Sequence, residues 1–241
     1  PIKKMMERIR NNPAIPETWG ANQAGMQAAA ELIGWRKRAA IAVWLLGCRF
    51  ALLMAWLLMK LNLHKQLSNR LVEPWMHITV ILTADEFGLA NFFHQRNHLA
   101  AQPEFQVLAR KMWVLYNTST PKRLDLNQWH LPFVGPADLA DALRMVGSNG
   151  TEILKAVSTG RCARVSYLTH DGKRDLAEDI RLHDKLKASR PAHLSPFEHV
   201  AQAMSLPTTR GNFHGWLQYR KTIPDENLVA LPEWKPEDYG V

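Results

Sequence analysis

Apolar residues in the first third of the chain follow a helical rhythm that thickens into one continuous run. From Met26 to Glu73 the pattern is helical, with expected breaks near Gly47 and around Asn62, and Pro74 closes it. Ahead of it, residues 1–25 are basic and then polar, punctuated by Pro13 and Pro16, and predict an arm or loose cap. His77–Thr83 (HITVILT) is short and β-branched, which predicts a strand. Asp85 then stands where an N-cap belongs, before a helix through NFFHQRNHLA. Gln102–Tyr116 predicts the next helix, with Pro103 in its first turn, where a missing N–H costs nothing.

Residues 117–136 are rich in turn formers and mark the best boundary between halves. Helical stretches follow at 137–146 and 150–159, and Arg164–Leu168 looks extended. Asp175–Ala188 predicts a charged amphipathic helix, His199–Ser205 a strand, and Asn212–Lys221 an aromatic helix that ends before Pro224. Helices with scattered strands and no βαβ rhythm predict an α+β protein, helix-rich around a small central, mostly antiparallel sheet. The segments are then 1–25, 26–117, 118–160 and 161–241, within one compact domain. No internal repeat or low-complexity tract interrupts them.

The run Ala39–Met59 is long enough to cross a bilayer. Arg49 stands at its centre, which costs at least ~2.5–3.5 kcal/mol in hydrocarbon, and polar residues resume at once beyond Met59. A helix apolar on nearly every side is more simply one buried in a large or oligomeric core, so the expectation is a homo-oligomer and no membrane. The first 35 residues have no continuous apolar core of a signal peptide. Cys48 and Cys162 are too few for a disulfide framework or a four-thiolate zinc site, and read as packed thiols in a reducing, cytoplasmic compartment.

Composition adds one demand. Of 241 residues, 46% are apolar and 22% charged, which excludes a disordered or fibrous chain. The surplus of 30 Lys and Arg over 22 Asp and Glu gives a formal charge of +8, which favours an anionic partner: nucleic acid, acidic lipid, or the phosphates of a nucleotide or cofactor.

No P-loop, GxGxxG, GxSxG or HExxH motif is present. His94 and His98, four apart on one helix face, have the spacing of metal ligands, but no carboxylate–His constellation completes a site and no metal is expected. Polar clusters remain, set into apolar elements. In HLSPFEH (193–199), burying Glu198 and His199 together requires partners. Trp216–Lys221 places Arg220 and Lys221 after aromatics, Arg70 precedes Glu73-Pro74, and Asn91 and Arg96 share a helix ahead of Ala101–Glu104. Each could be a structural hydrogen-bonding group. Arginines among aromatics also suit phosphates with flat heterocycles, and nucleic acid equally.

At these clusters the chain resembles the flavin-dependent (ThyX-type) thymidylate synthases, with the halves in swapped order. Ala163-Arg164-Val165-Ser166, then 193–199, then Trp216 through Arg220 to Glu226 match elements of that family's first half. Arg70 with Glu73-Pro74, the expected strand to Thr83, Asp85, Asn91, Arg96 and Ala101–Glu104 match its second half, yet come first here, as in a circular permutation. The resemblance covers roughly 50–110 and 160–227. It implies reductive methylation of dUMP to dTMP, with FAD at the interface of a homotetramer, NADPH as reductant and methylene-tetrahydrofolate as one-carbon donor. Arg96 and Arg70 would be catalytic and substrate-binding, Glu226 and Lys221 substrate-binding, and Ser166, His199, Arg220, Asn91 and Asp85 flavin-binding.

The family's Arg-His-Arg-x-x-Ser fingerprint aligns with Gln218–Ile223, where only the second Arg survives, as Arg220, and Ile223 stands in place of Ser. Asn227–Ala230 replaces residues that grip the nucleotide, and Asp85 replaces an Asn near the flavin. Two other functions therefore stay open: flavin- and folate-dependent hydroxymethylation of dUMP or modification of another pyrimidine nucleotide, and non-catalytic nucleic-acid binding.

Overall fold

The structure, a computed structural model, describes residues 2–24, 28–165, 174–205, 209–224 and 226. The chain is α+β: eight α-helices and a small four-stranded sheet among the described residues. Its contacts separate two units, one of Pro1–Val80 with Glu86–Pro121, the other of Ile81–Asp85 with Lys122–Val241.

In the first unit, the basic N-terminal segment opens with a helix, α1 (Ile2–Asn11), rather than a loose arm. Its Met6 and Ile9, one turn apart, are buried against Cys48, Leu52 and Ala55 of α2 (Gly34–Lys60) and against Val72. The chain from Asn12 onward is tied down too. Ala14 N–H donates to the Trp75 carbonyl at 3.0 Å, and the Ala14 carbonyl accepts from Trp44 Nε1 at 3.0 Å.

Helix α2 begins at Gly34, whose φ of +59° suits glycine, and not at Met26. It also runs unbroken through Gly47. That glycine serves packing, since a Cβ there would lie 3.3 Å from Trp75 Cζ2. The break expected around Asn62 is real: Asn62 takes φ +61°, a left-handed conformation its side chain tolerates. α3 (Lys65–Ser68) and the 3₁₀ helix Asn69–Trp75 follow.

Within the chain α2 is not a buried helix. Only Cys48, Leu52 and Ala55 are buried, while Val43, Leu46, Phe50, Leu53 and Leu57 are 41–68% exposed. These five alternate three and four residues apart, the spacing of a helix-packing seam. By length and composition alone α2 also suffices to cross a membrane.

Segment 77–83 is not a strand. Its alternation leaves Ile78, Val80 and Leu82 exposed, and without a pairing strand β-propensity has nothing to act on. α4 (Glu86–Arg96) and α5 (Pro103–Thr118) then pack through Phe93, whose ring lies 5.1 Å from Trp113 and 5.7 Å from Tyr116, both on α5.

The second unit is built on α7. β1 (Trp129–His130) leads to α6 (Pro136–Val146), α7 (Thr151–Arg164) and α8 (Leu176–Ala188). α6 starts at Gly135-Pro136, with Asp138 Oδ2 accepting the Gly135 N–H at 2.8 Å, and stops at Gly147 with φ +67°. Asp175 caps α8 by accepting the Glu178 N–H at 3.0 Å. At Gly160 a Cβ would sit 2.4 Å from the Asp179 carbonyl oxygen, so only glycine lets α8 come this close to α7. Helix α7 continues through Arg164, which corrects the expected extended start of 164–168. Residues 166–168, Ser166 among them, lie outside the described residues.

A buried ion network ties these helices. Arg161 donates to Asp138 by two bonds of 2.9 Å and to Asp179 at 2.9 Å; Arg164 also bonds Asp179, and Arg174 reaches Asp138 at 2.6 Å. Burial opposes the charge on Asp138, but hydrogen bonds from Arg161, the Gly135 N–H and Arg174 outweigh it and hold the carboxyl well below the ordinary range.

The sheet has the order β1-β2-β4-β3, with β2 Ala201–Ala203, β3 Thr209–Arg210 and β4 Trp216–Gln218. β1–β2 and β2–β4 are antiparallel and β3–β4 parallel, with Ala201 opposite Gln218 and Ala203 opposite Trp216. The strand expected at His199–Ser205 is realised only at its centre, because Ser195–His199 forms a 3₁₀ helix. The expected aromatic helix at 212–221 is instead β4 followed by the 3₁₀ helix Tyr219–Thr222. Gly211 and Gly215, at φ +113° and +73°, turn the chain into strand pairing. Leu194, Phe197, Val200, Tyr219 and Ile223 form the core beneath.

Candidate functional site

In the second unit the site is assembled around HLSPFEH. The 3₁₀ helix Ser195–His199, started by Pro196 in its first turn, buries Phe197 and turns the next two side chains outward, only partly buried. Both find the partners their placement demands. Glu198 Oε1 accepts from Arg220 Nη1, and His199 Nδ1 shares a hydrogen bond of 3.0 Å with Thr83 Oγ1. Burial lowers the His199 pKa, partly offset by the Glu198 charge, which favours a neutral ring.

Arg220 Nε donates to Glu226 Oε2 at 2.8 Å, and Lys221 Nζ to Glu226 Oε1 at 2.6 Å. Pairing with Glu198 raises the Arg220 pKa against burial and is reinforced by Glu226. Burial opposes the Glu226 charge, yet the bonds from Lys221 and Arg220 win and lower its pKa. Two carboxylates and two cations thus balance in one chain of ion pairs. Two residues beyond Thr83, Asp85 Oδ2 accepts the His214 N–H at 3.0 Å and lies 3.3 Å from His214 Nδ1.

The divergent fingerprint has a structural account. Gln218 is fully buried, its Oε1 accepting the Asn212 N–H at 3.0 Å and its Nε2 donating to the Glu198 carbonyl at 2.9 Å. A Cβ on Gly211 would collide with that amide at 1.9 Å. Tyr219 is buried with its ring stacked on His183, and its hydroxyl lies 3.1 Å from His183 Nε2. Burial pushes the Tyr219 phenol up to about 12. Ile223 joins the same core. Three of the six fingerprint positions therefore face the core, and the cations presented outward are Arg220 and Lys221.

In the first unit Arg96 ends α4, exposed, its Cζ 5.6 Å from the Phe105 ring centroid. It lines an open cleft of about 340 Å³ with His94, Gln95, His98, Ala100 and Ala101. Asn91 Oδ1 accepts from Gln95 Nε2 at 3.0 Å, and Arg70 is exposed on the 3₁₀ helix Asn69–Trp75. His98 Nδ1 accepts the Ala100 N–H at 3.1 Å, so that nitrogen is engaged in the turn. Among the described residues no group of three His, Cys, Asp or Glu side chains could hold a metal.

His199, Arg220, Lys221, Glu226 and Asp85 thus belong to the second unit, and Arg70, Asn91 and Arg96 to the first. Thr83, His214 and Gln218 were not singled out by sequence. Thr83 and His214 carry no local motif, and Gln218 stood only as a departure from a fingerprint. Comparison with protein-family models, with curated proteins and with solved structures gives no match.

Proposed function

We propose that the protein is a flavin-dependent thymidylate synthase-like enzyme that reductively methylates dUMP to dTMP, with FAD, NADPH and methylene-tetrahydrofolate as its redox and one-carbon partners. One observation carries the reading. Segment Ile81–Asp85 from the earlier motif set belongs to the second unit and is bonded there, through Thr83, to His199 of the later set. A hydrogen bond thus joins segments 116 residues apart in the chain.

The residues fit the edge of a flavin heterocycle better than its phosphates. Glu198, Arg220, Lys221 and Glu226 balance one another, so an anion gains little net attraction there. With His199 Nδ1 engaged by Thr83, its Nε2 is the nitrogen left for a ring carbonyl or ring nitrogen. Arg220, fixed between two carboxylates, offers donors of constant charge to the same edge. Taken by itself, the first unit offers the exposed Arg70 for a phosphate and Arg96 for polarising a pyrimidine carbonyl. FAD, when bound and reduced, supplies the hydride. The exposed stripe on α2 supports a homo-oligomer, read here as the tetramer of the resembling family.

A second reading, hydroxymethylation of dUMP with the same cofactors, is favoured by the internalised fingerprint. Gln218, Tyr219 and Ile223 cannot grip the substrate as Arg, His and Ser would.

The full chain, titrated with FAD, is expected to hold a flavin spectrum through gel filtration and to bleach with NADPH. It should then convert dUMP and methylene-tetrahydrofolate to dTMP. Hydroxymethyl-dUMP as product would establish the second reading. A chain that takes up no FAD and binds nucleic acid with a steep salt dependence would overturn both.

A further inference from the structure

We propose that Gln106 and Arg110, one turn apart on α5, are positioning residues that fix Arg96 for the nucleotide; the inference rests on the reading of Arg96 as the pyrimidine-polarising group. α4 ends at Arg96, and the chain must cross residues 97–102 before α5 begins. A helix end leaves carbonyls without intrahelical partners, and such a turn has no ladder to hold it. Here side chains from α5 reinforce the few bonds the turn makes itself, Asn97 N–H to the Phe93 carbonyl and Ala101 N–H to the His98 carbonyl, both at 2.9 Å.

Gln106 is the centre of the clamp. Its Nε2 donates to the Ala101 carbonyl at 2.7 Å and to the Leu99 carbonyl at 3.2 Å, which uses both amide hydrogens. Its Oε1 accepts from Arg110 Nη2 at 3.3 Å. Arg110 Nε in turn donates to Asn97 Oδ1 at 3.2 Å, on the residue directly after Arg96. Both ends of the turn are therefore tied to one face of α5, through residues spaced i and i+4. The Arg96 guanidinium lies over Phe105, the neighbour of Gln106. Its direction into the 340 Å³ cleft thus depends on the register of the end of α4 against α5.

Among the described residues the Gln106 side chain has no hydrogen-bond partner outside this turn and Arg110. The residue is half-buried, and its three hydrogen bonds all serve the turn and Arg110.

The test is a double-mutant cycle on the full chain loaded with FAD, with dUMP binding measured by calorimetry for wild type, Gln106→Ala, Arg96→Ala and the double variant. Gln106→Ala is expected to weaken dUMP roughly tenfold, as expected for a displaced charged hydrogen bond. Added to Arg96→Ala, it should weaken dUMP no further, because it acts through Arg96. Arg110→Ala, at an exposed position that folding tolerates, should show the same non-additivity with a smaller loss. Hydrogen exchange over 97–101 should rise in Gln106→Ala with the rest of the chain unchanged. Additive losses, or unchanged dUMP affinity in both Gln106→Ala and Arg110→Ala, would overturn the positioning role. Wild type that holds FAD but does not bind dUMP would overturn the underlying assignment of Arg96, and the positioning role with it.

Discussion

Thr83 Oγ1 and His199 Nδ1 lie 3.0 Å apart, although 116 residues separate them in the chain. The bond consumes the nitrogen nearer the backbone and leaves the other ring nitrogen for the flavin proposed above. Thr83→Val keeps the shape and deletes the hydroxyl, so the ring loses its tether. Unfolding should shift by only about 1 kcal/mol, the usual net worth of one such bond. FAD retained through gel filtration should fall much more than stability does. Equal FAD retention would show that the tether does not orient the ring.

The α2 stripe makes a claim about assembly. Val43, Leu46, Phe50, Leu53 and Leu57 carry apolar side chains on one exposed seam, while Arg49 sits exposed at its edge. Burying such side chains is worth about 1.5–3 kcal/mol each. Leu46→Glu with Leu53→Glu should therefore lower the solution mass by sedimentation while α1 and α2 keep their mutual packing, which uses Cys48, Leu52 and Ala55. A wild-type chain that is monomeric without detergent would sink the oligomer. One that stays soluble only in detergent would point to a membrane instead.

Much of the helical order was legible from apolar periodicity and turn formers: Pro103 stands in the first turn of α5, and the expected stretches 137–146 and 175–188 coincide with α6 and α8. Elements that depend on distant partners were not. The β-branched run 77–83 has strand composition but no strand beside it among the described residues, and the aromatic-rich stretch 212–221 holds Trp216–Gln218, which pairs with Ala201–Ala203. The candidate site divides the same way. That Glu198 and His199 need partners follows from their place among apolar residues. That the partners are Arg220 and Thr83 depends on the antiparallel pairing of Ala201–Ala203 with Trp216–Gln218 and on a segment from much earlier in the chain.

Asp138 tests the buried network. It is 2% exposed and accepts from Arg161, Arg174 and the Gly135 N–H. Asp138→Asn keeps the shape but leaves Arg161 with one carboxylate fewer, and breaking a buried pair in this way costs about 3–5 kcal/mol. Denaturant unfolding followed by far-ultraviolet circular dichroism should register that loss. Because the folded-state pKa of Asp138 is depressed, its own contribution is complete above the ordinary carboxylate value of 3.8 and is lost as pH falls through the lower folded-state value. An acid transition unchanged in Asp138→Asn would assign the acid sensitivity to other carboxylates.

His183 governs a higher window. Its ring is buried, stacked on Tyr219 with centroids 5.8 Å apart and 4.9 Å from Phe197, and burial lowers its pKa from 6.5 despite the bond to Asp184. Lys187 and Lys155 oppose protonation as well, and Lys155 Nζ lies 4.7 Å from the Tyr219 ring centre. The unfolded chain therefore takes up the proton first. Stability is complete above pH 6.5 and is lost as pH falls through the lower folded-state value. His130 and His199, lowered by burial in the same unit, add to the same slope. His183→Phe keeps a ring between Phe197 and Tyr219 and removes the titration, at about 1 kcal/mol for the lost Tyr219 bond. Melting temperature plotted against pH should be lower for the variant at neutral pH and flatter on the acid side. If the wild-type slope persisted in His183→Phe, the titration would belong to His130 or His199, and the His183–Tyr219 stack would be indifferent to pH.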